Sequence, residues 1–301
     1  MQPNPLMKAL GLSDRDRAVI IHTDDIGMCQ ASLAAYADLV GAGVISAAST
    51  MTPCPWFPAT AQFCRDHPDR VDMGVHITLN SEWHSGYRWG AVSTCDPASG
   101  LVDDAGYMHY AAEITQTHAT PEAVGAEIAA QVARAFEAGI DMTHIDSHMG
   151  TVFYPGFVES YVEIALHYRV PPFLVRTSET ALRMLGYDTE LVEALSQRMQ
   201  ALEAQGLPTI DAVTFVPFDT PENHLEQTKR FFSGVGPGLT YVIIHPSKDT
   251  PELRAILPEG WQTRVAEYQT FMQDEVRVYL DDEGIHVIGW RTLRDLLRTK
   301  I

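Results

Sequence analysis

Short apolar runs alternate with longer amphipathic stretches along most of the chain. The first run, Ala18–Thr23, is rich in branched residues and ends before two aspartates, as expected for a buried strand. Seven further runs of this kind follow it, at Val44–Thr50, Val71–Thr78, Met142–Ser147, Pro172–Arg176, Ile210–Val216, Leu239–His245 and His286–Gly289. The pattern predicts a series of short strands separated by helices.

The stretches between these runs carry helical spacing and helix-boundary residues. In Pro121–Ala138, Thr120 can cap the helix and Pro121 takes its first position. Gln30–Gly41 stops at a glycine, which is typical of a helix end. The other predicted helices are Pro55–Arg65, Gly156–Tyr168, Glu179–Gln205, Pro221–Phe232, Gly260–Asp274 and Thr292–Arg298.

Alternating strands and helices indicate a parallel sheet covered by helices. Neither GxGxxG nor GxxxxGK[ST] follows the first strand, so a nucleotide-binding open sheet loses support. We predict a single TIM-like (β/α) barrel over residues 1–301, for which an irregular seven-stranded form is one option. The segment at about 79–120 does not continue the alternation of strands and helices and is predicted to be an insertion.

Charge and composition narrow the range of partners. The 301 residues are 46% hydrophobic and 20% charged, enough apolar material for a sizeable core. Asp and Glu total 39 against 21 Lys and Arg, a formal charge of -18, which disfavours nucleic acid and anionic membrane surfaces. The first residues lack an apolar signal core, so we expect a soluble, cytoplasmic protein. The oligomeric state stays open, a homo-oligomer included.

Cysteine spacing excludes another class of site. The four cysteines, at positions 29, 54, 64 and 95, form no CxxC pair, so zinc-ribbon and redox motifs are absent from the sequence. A chain of this size needs no disulfide for stability, and we expect free thiols.

Histidines, aspartates and an arginine gather where the predicted strands end. In chain order they are Asp24, Asp25, His76, His144, Asp146, His148, Arg176 and His245. The carboxyl ends of the strands in a barrel converge on one face, where such enzymes carry their active sites. Residues far apart in sequence are therefore expected to share one pocket.

Asp25, His76 and His148 offer one carboxylate and two imidazoles, a ligand set for a catalytic divalent metal with open positions. Two residues four apart on a strand are separated by about 13 Å. We therefore expect His148 to lie just past the strand, turned into the site, and His144 to be structural or to support the ligands from outside.

A metal in such a site lowers the pKa of a water molecule and polarises a carbonyl. Asp24 is placed to accept a proton from that water, and His245 to protonate the leaving group. This set of residues predicts hydrolysis of an amide or ester. The sequence contains no Gly-x-Ser-x-Gly elbow, which weakens the prediction of a serine hydrolase. Two alternatives stay open: a glycoside hydrolase that uses Asp24 and Asp146, and a non-catalytic sugar-binding barrel.

Four segments occur in the order IIHTDDIGMC, MGVHITLN, THIDSHMG and VIIHPS, and together they resemble the YdjC-type (ChbG/HpnK) carbohydrate deacetylases. The resemblance covers roughly residues 18–290. It implies a (β/α) barrel related to polysaccharide deacetylases, one divalent ion, often magnesium or zinc, and removal of acetyl groups from an N-acetylated or otherwise acylated saccharide. It assigns the metal ligands to Asp25, His76 and His148, the general base to Asp24 and the late-strand histidine to His245.

The resemblance also implies a middle-strand arginine, which corresponds to Arg176, and we expect this residue and Asp146 to contact substrate. Members often continue the fourth motif with further histidines, whereas this chain has Met149–Val152. The change affects the expected substrate pocket rather than the metal ligands, so a chitooligosaccharide substrate is not carried over.

The predicted insertion is rich in aromatic residues. Trp83 and Trp89, with Tyr87, Tyr107 and Tyr110, lie on the active-face side of the predicted barrel. Aromatic rings there suit stacking against sugar faces, and we expect Trp83 and Trp89 to bind substrate. Packing of the rings against the barrel is the alternative.

Overall fold

The computed structural model describes residues 3–83, 86–176, 189–216 and 222–299. Their strands are β1 (Arg17–Ile26), β2 (Ala47–Thr50), β3 (Met73–Ile77), β4 (Ile145–Ser147), β5 (Ala212–Phe215), β6 (Gly238–Ile244) and β7 (Ile285–Val287). Their α-helices are α1 (Pro5–Ala9), α2 (Gln30–Ala42), α3 (Phe57–Asp66), α4 (Ala112–His118), α5 (Pro121–Glu137), α6 (Val158–His167), α7 (Thr189–Ala204), α8 (His224–Ser233), α9 (Pro251–Ile256), α10 (Trp261–Phe271), α11 (Asp274–Asp282) and α12 (Trp290–Arg298).

All strand pairs in the sheet are parallel. The order is β4-β3-β2-β1-β6-β5, and β7 pairs with the first residues of β1. The predicted fifth strand, Pro172–Arg176, contributes only the isolated bridges Ile145–Pro172 and Val175–Ile210. Pro171 and Pro172 lack the N–H groups that a ladder needs. The fold is a parallel α/β half-barrel, and a complete seven-stranded TIM barrel is not confirmed.

Both faces of the central strand are buried. Along β1, Val19 and Ile21 pack into one apolar cluster, while Ala18 and Ile20 pack into another on the opposite face. This alternation explains why the strand appears in the sequence as an unbroken apolar run. It leaves the strand ends as the place where polar side chains can gather.

Most predicted elements lie within a few residues of the observed ones, with two informative differences. β1 continues to Ile26, so both aspartates belong to the strand. The predicted helix Gly260–Asp274 is α10, which ends at Phe271, and a separate helix, α11, begins at Asp274 with acidic residues in its first turn. The first residues of the predicted helices Glu179–Gln205 and Pro221–Phe232 lie outside the described residues.

The predicted insertion combines loops with short elements. It holds a 3₁₀ turn at Pro97–Ser99, an antiparallel bridge between Val102 and Met108, and helix α4. Its assignment as an insertion into one domain stays a prediction. The four cysteines are free, as expected. Across the described ranges, the helices are too short or too polar to cross a membrane.

Candidate metal centre

The end of β1 brings two successive aspartates to the same place. The register of β1 against β2 shifts between Thr23 and Ile26, and Asp25 has a φ of 62°. This left-handed conformation costs a non-glycine residue about 1–2 kcal/mol. In a regular strand neighbouring side chains point to opposite faces, and the irregularity removes this alternation. Asp24 Oδ2 and Asp25 Oδ1 consequently lie 3.7 and 3.5 Å from the same atom, His76 Nε2.

Three buried atoms face one another at the carboxyl end of the sheet. Asp25 Oδ1 lies 3.5 Å from His76 Nε2 and 3.2 Å from His148 Nδ1, and the two nitrogens are 3.3 Å apart. Asp25 Oδ1 has no hydrogen-bond partner among the described residues. A buried carboxylate oxygen seldom stays unsatisfied, and one carboxylate with two imidazoles is a catalytic metal set. These buried groups can hold a metal ion.

The other nitrogen of each histidine is tied to a carboxylate. His76 Nδ1 lies 2.8 Å from Asp146 Oδ1, and His148 Nε2 lies 2.9 Å from both oxygens of Glu82. In the neutral rings these nitrogens carry the proton and donate it, which leaves His76 Nε2 and His148 Nδ1 as acceptors. Metal-binding histidines are normally oriented in this way.

Arg264 plays the corresponding role for Asp25. From helix α10, Nη2 donates to Asp25 Oδ2 at 2.8 Å, so Oδ1 is the oxygen that faces the histidines. Burial would raise the pKa of Asp25, but Arg264 and the two histidines outweigh burial and hold the pKa well below its usual value. Glu82 and Arg264 were not predicted as site residues.

Carboxylates also set the charge of the two histidines. Burial would lower the pKa of His148, but Glu82 and Asp25 raise it to about 9. The pKa of His76 is likewise raised well above its usual value, because Asp146 and Asp24 outweigh burial. The centre is therefore built to hold positive charge.

Asp24 lies beside the three facing atoms with one oxygen already engaged. Its Oδ1 accepts a hydrogen bond from His22 Nδ1 at 2.6 Å, while Oδ2 is the oxygen on the His76 side. His22 is therefore joined directly to Asp24.

His245 follows β6 at the same end of the sheet. Its backbone N–H donates to Glu267 Oε2 at 2.7 Å. Burial and the nearby Arg264 lower the pKa of His245 to about 4, against the opposing pull of Asp25. The ring is neutral at neutral pH in the free protein.

The predicted substrate residues differ in their surroundings. Trp83 and Trp89 are only 7% and 6% exposed, meet edge to face at 5.3 Å, and each lies 6.5 Å from the His148 ring. Both therefore pack against His148, one of the candidate metal ligands. Trp89 also donates its indole N–H to the backbone oxygen of Asn80. Asp146 is buried, and its Oδ2 accepts from Ser49 and Tyr241. Substrate contact by these residues stays a prediction.

Arg176 is engaged in intramolecular ion pairs. Its guanidinium bonds Glu203 Oε1 and Asp211 Oδ1, each at 2.9 Å. Asp211 also accepts from the backbone of Leu239, near the start of β6. These contacts belong to the amino end of β6, whereas the metal centre lies at the carboxyl end of the sheet. A substrate role for Arg176 stays a prediction.

A cavity of about 480 Å³ lies within the predicted insertion. It is lined by Ser81, Glu82, Trp83, Arg88, Asp103, His109, Tyr110 and Ile114. Glu82 connects the cavity wall to His148, and Tyr110 is 66% exposed. The cavity thus meets the centre through one carboxylate.

Comparison with known proteins assigns the family. The YdjC-like protein family model matches residues 18–282. A carbohydrate deacetylase of Thermus thermophilus is 30% identical over 97% of this chain and 99% of its own length. A carbohydrate deacetylase of Thermoanaerobacter pseudethanolicus is 22% identical over 92% of this chain and 99% of its own length.

A solved structure supports the fold. A protein of Enterococcus faecalis V583, named for cellobiose-phosphate cleavage, superposes with a TM-score of 0.73 at 21% identity, covering 92% of this chain and 99% of that one. At this identity the likeness shows the fold alone. A relation to polysaccharide deacetylases stays a prediction. The family match and the curated relatives confirm the resemblance seen in the four motifs and the enzyme class: the chain belongs to the YdjC-like protein family, a family of carbohydrate deacetylases.

Proposed function

We propose that this protein removes an acetyl group from an N-acetylated, or otherwise acylated, saccharide by hydrolysis that requires one divalent metal ion. Asp25, His76 and His148 would hold the ion. The observation that carries the proposal is Asp25 Oδ1, which is buried, lacks a partner among the described residues and faces two imidazole nitrogens at 3.2 and 3.5 Å. The carbohydrate deacetylases that are similar to this chain support the reaction class.

A divalent ion held there supplies polarisation of the amide carbonyl and a lowered pKa for the attacking water. Asp24 Oδ2 accepts a proton from this water, because Oδ1 is already engaged by His22. The water oxygen bonds to the carbonyl carbon. The nitrogen takes the proton from Asp24 as the C–N bond breaks, and the products are acetate and an amine.

We assign His245 a different part in the reaction from the one predicted from the sequence. With a pKa of about 4, its ring is neutral at neutral pH and is a weak proton donor. A neutral imidazole can still donate a hydrogen bond to the reacting group. The proton delivered to the leaving nitrogen therefore comes from Asp24.

The donor set favours zinc over magnesium. Two of the three proposed ligands are imidazoles, which suit zinc, whereas magnesium prefers oxygen ligands and keeps several waters. Reconstitution of the stripped protein with each ion tests this choice. We expect zinc to restore activity at a lower concentration than magnesium.

The saccharide is proposed to bind in the cavity beside Glu82. Its volume of about 480 Å³ is in the range of small-molecule sites. Tyr110 is the most exposed of its aromatic side chains and can stack on a sugar ring, while Trp83 forms part of the wall. This arrangement moves the stacking role from the buried Trp89 to Tyr110.

The surroundings of Asp146 argue against glycoside hydrolysis. A general acid in that reaction needs a carboxyl group with a raised pKa. Burial would raise the pKa of Asp146, but His76 and other histidines hold it well below its usual value. Both of its oxygens also accept hydrogen bonds. It is therefore a poor proton donor.

A panel of acetylated mono- and oligosaccharides tests the function. We expect acetate release without a rise in reducing ends. New reducing ends without acetate would replace the proposal with glycoside hydrolysis. Saccharide binding by calorimetry, with neither product formed under any metal, would replace it with a sugar-binding module.

A further inference from the structure

A second pair of histidines lies behind Asp24, and the proposed chemistry leaves it unused. His22 is two residues before Asp24 on β1, and His144 directly precedes β4; both side chains are fully buried. Their Nε2 atoms are 2.9 Å apart. His22 stacks on Tyr241 at 4.8 Å, and His144 stacks on Trp290 at 4.7 Å. Packing therefore holds both rings in place.

When His22 is neutral, the hydrogen bonds of this pair can run in one direction. An ionised Asp24 only accepts, so His22 Nδ1 carries the proton of the 2.6 Å bond. In a neutral ring His22 Nε2 is then bare and accepts from His144 Nε2–H at 2.9 Å. His144 Nδ1 in turn accepts from the Thr143 hydroxyl at 3.0 Å. Thr143, His144, His22 and Asp24 form a single chain of bonds, here called the histidine chain.

A second metal ion is the competing explanation for this cluster. Asp146 Oδ2 lies 3.7 Å from His22 Nε2 and 3.9 Å from His144 Nε2, close enough for a shared ion. However, Asp146 Oδ2 already accepts hydrogen bonds from Ser49 and Tyr241, and the two nitrogens bond each other. All three atoms have partners, unlike Asp25 Oδ1 in the metal centre.

Strand β3 also fixes the position of His144. A Cβ added at Gly74 would lie 2.5 Å from the His144 ring, so only a glycine allows this approach. The ring is thus clamped between Gly74 and Trp290, with its Nε2 toward His22. Such packing is how proteins hold a side chain that must orient another.

We infer that His22 and His144 are positioning residues for Asp24. His144 selects the Nδ1–H tautomer of His22, His22 then binds Asp24 Oδ1, and Oδ2 is left facing the metal centre. The inference rests on the proposed role of Asp24 as the proton acceptor. According to this inference, the reaction rate depends on two buried residues, His22 and His144, that do not contact the substrate.

The tautomer can be measured without any activity. In protein labelled with ¹⁵N-histidine, stripped or zinc-loaded, we expect His22 to carry its proton on Nδ1 alone and His144 on Nε2. His22→Asn and His144→Phe assign the two signals. A His22 ring protonated at Nε2, or at both nitrogens, in both states would overturn the histidine chain.

Kinetics of matched variants test the consequence. Asn at position 22 can donate an amide N–H where His22 Nδ1 donates, but it is too short to reach His144. We expect His22→Phe to lower kcat about 100-fold, with KM changed less than about threefold and the metal retained, since general-base catalysis contributes about 10²–10⁴-fold. The kcat of His22→Asn should be about tenfold higher than that of His22→Phe.

A double-mutant cycle separates positioning from general structural damage. His144→Phe should lower kcat about tenfold in the wild-type background and have no effect on kcat in the His22→Asn background, because His144 acts only through the ring of His22. Equal losses in both backgrounds would overturn the inference. Thermal unfolding of each variant shows whether it is folded, and His22→Asn replaces His22→Phe if the latter is not.

Metal analysis completes the test. We expect one bound equivalent in the wild type and in His144→Phe. Two equivalents that fall to one in His144→Phe would overturn the histidine chain in favour of a second ion. If no acetylated saccharide is hydrolysed, the proposed function fails, and the tautomer measurement still decides the histidine chain.

Discussion

One histidine pair belongs to the metal centre and a second pair lies behind Asp24, and their surroundings differ. His76 and His148 face each other at 3.3 Å, and both face the unsatisfied Oδ1 of Asp25. His22 and His144 approach to 2.9 Å and satisfy each other. The first pair has an oxygen that a cation would complete, whereas the second has partners for its ring nitrogens. A metal site is therefore recognised by its unsatisfied atoms rather than by residue type.

The largest effect is expected from Asp25→Ala. Loss of this carboxylate removes one of three proposed ligands, so metal content should fall from about one equivalent to near zero and acetate release to background. The measurement is elemental analysis with an acetate assay. His118→Ala, which changes an exposed histidine on α4, should alter neither quantity. An Asp25→Ala protein that keeps its metal would contradict the assignment.

Asp24→Asn should separate proton transfer from metal binding. The amide cannot accept a proton at neutral pH, so kcat should fall by about 10²–10⁴-fold. Metal content should stay near that of the wild type, because Asp25, not Asp24, supplies the facing oxygen. Full activity in this variant would remove Asp24 from the chemistry.

Glu82 links the metal centre to pH. Because Glu82 helps to raise the pKa of His148 to about 9, the metal must displace a proton below that pH. Displacement of the His148 proton alone should therefore weaken the apparent affinity by up to about tenfold per pH unit as the pH falls from 9. Glu82→Gln should bind metal about tenfold more weakly above pH 9, since the charged partner that orients His148 is lost.

The two affinities should converge as the pH falls, because the variant lowers the pKa of His148 and so reduces competition from protons. Titrations with a metal indicator between pH 6.5 and 9.5 measure both curves; this range brackets the pKa of about 9. Glu113→Gln, on exposed α4, is the matched control and should follow the wild-type curve. Parallel affinity curves for Glu82→Gln and the wild type would contradict the prediction that Glu82 raises the pKa of His148.

The smallest effect concerns packing around the second pair. Gly74→Ala places a methyl against the His144 ring and should lower the free energy of unfolding by about 1–3 kcal/mol. Gly41→Ala lies in helix α2 with room for a Cβ, its nearest contact being Arg70 Nη2 at 3.9 Å, and should raise the free energy by about 0.5 kcal/mol. Denaturant titrations compare the two. Equal stabilities would mean that His144 is not clamped.

The sequence was informative where periodicity controls structure. Buried parallel strands leave apolar runs, and the residues after those runs are the strand-end residues of the half-barrel. This is why Asp25, His76 and His148 could be grouped before any contact was known. The strand predicted at Pro172–Arg176 forms only isolated bridges, because two adjacent prolines remove backbone hydrogen-bond donors.

The partners of those residues could not be found in this way. Arg264 reaches Asp25 across 239 positions from a helix that has no motif, and Glu82 lies in an irregular loop. Alternation along β1 does put His22 and Asp24 on the same side, and this signal was available. The burial of Trp89 depends on how the loop folds over His148, which no local pattern encodes.

The most direct test of the metal centre is a titration of zinc into metal-stripped protein while acetate release from an acetylated saccharide is recorded. We expect no release at zero metal and a linear rise that breaks at about one equivalent per chain, as a single tight site requires. Full activity in the stripped protein, or activity that never appears as the site fills, would contradict a metal-dependent deacetylase centred on Asp25, His76 and His148.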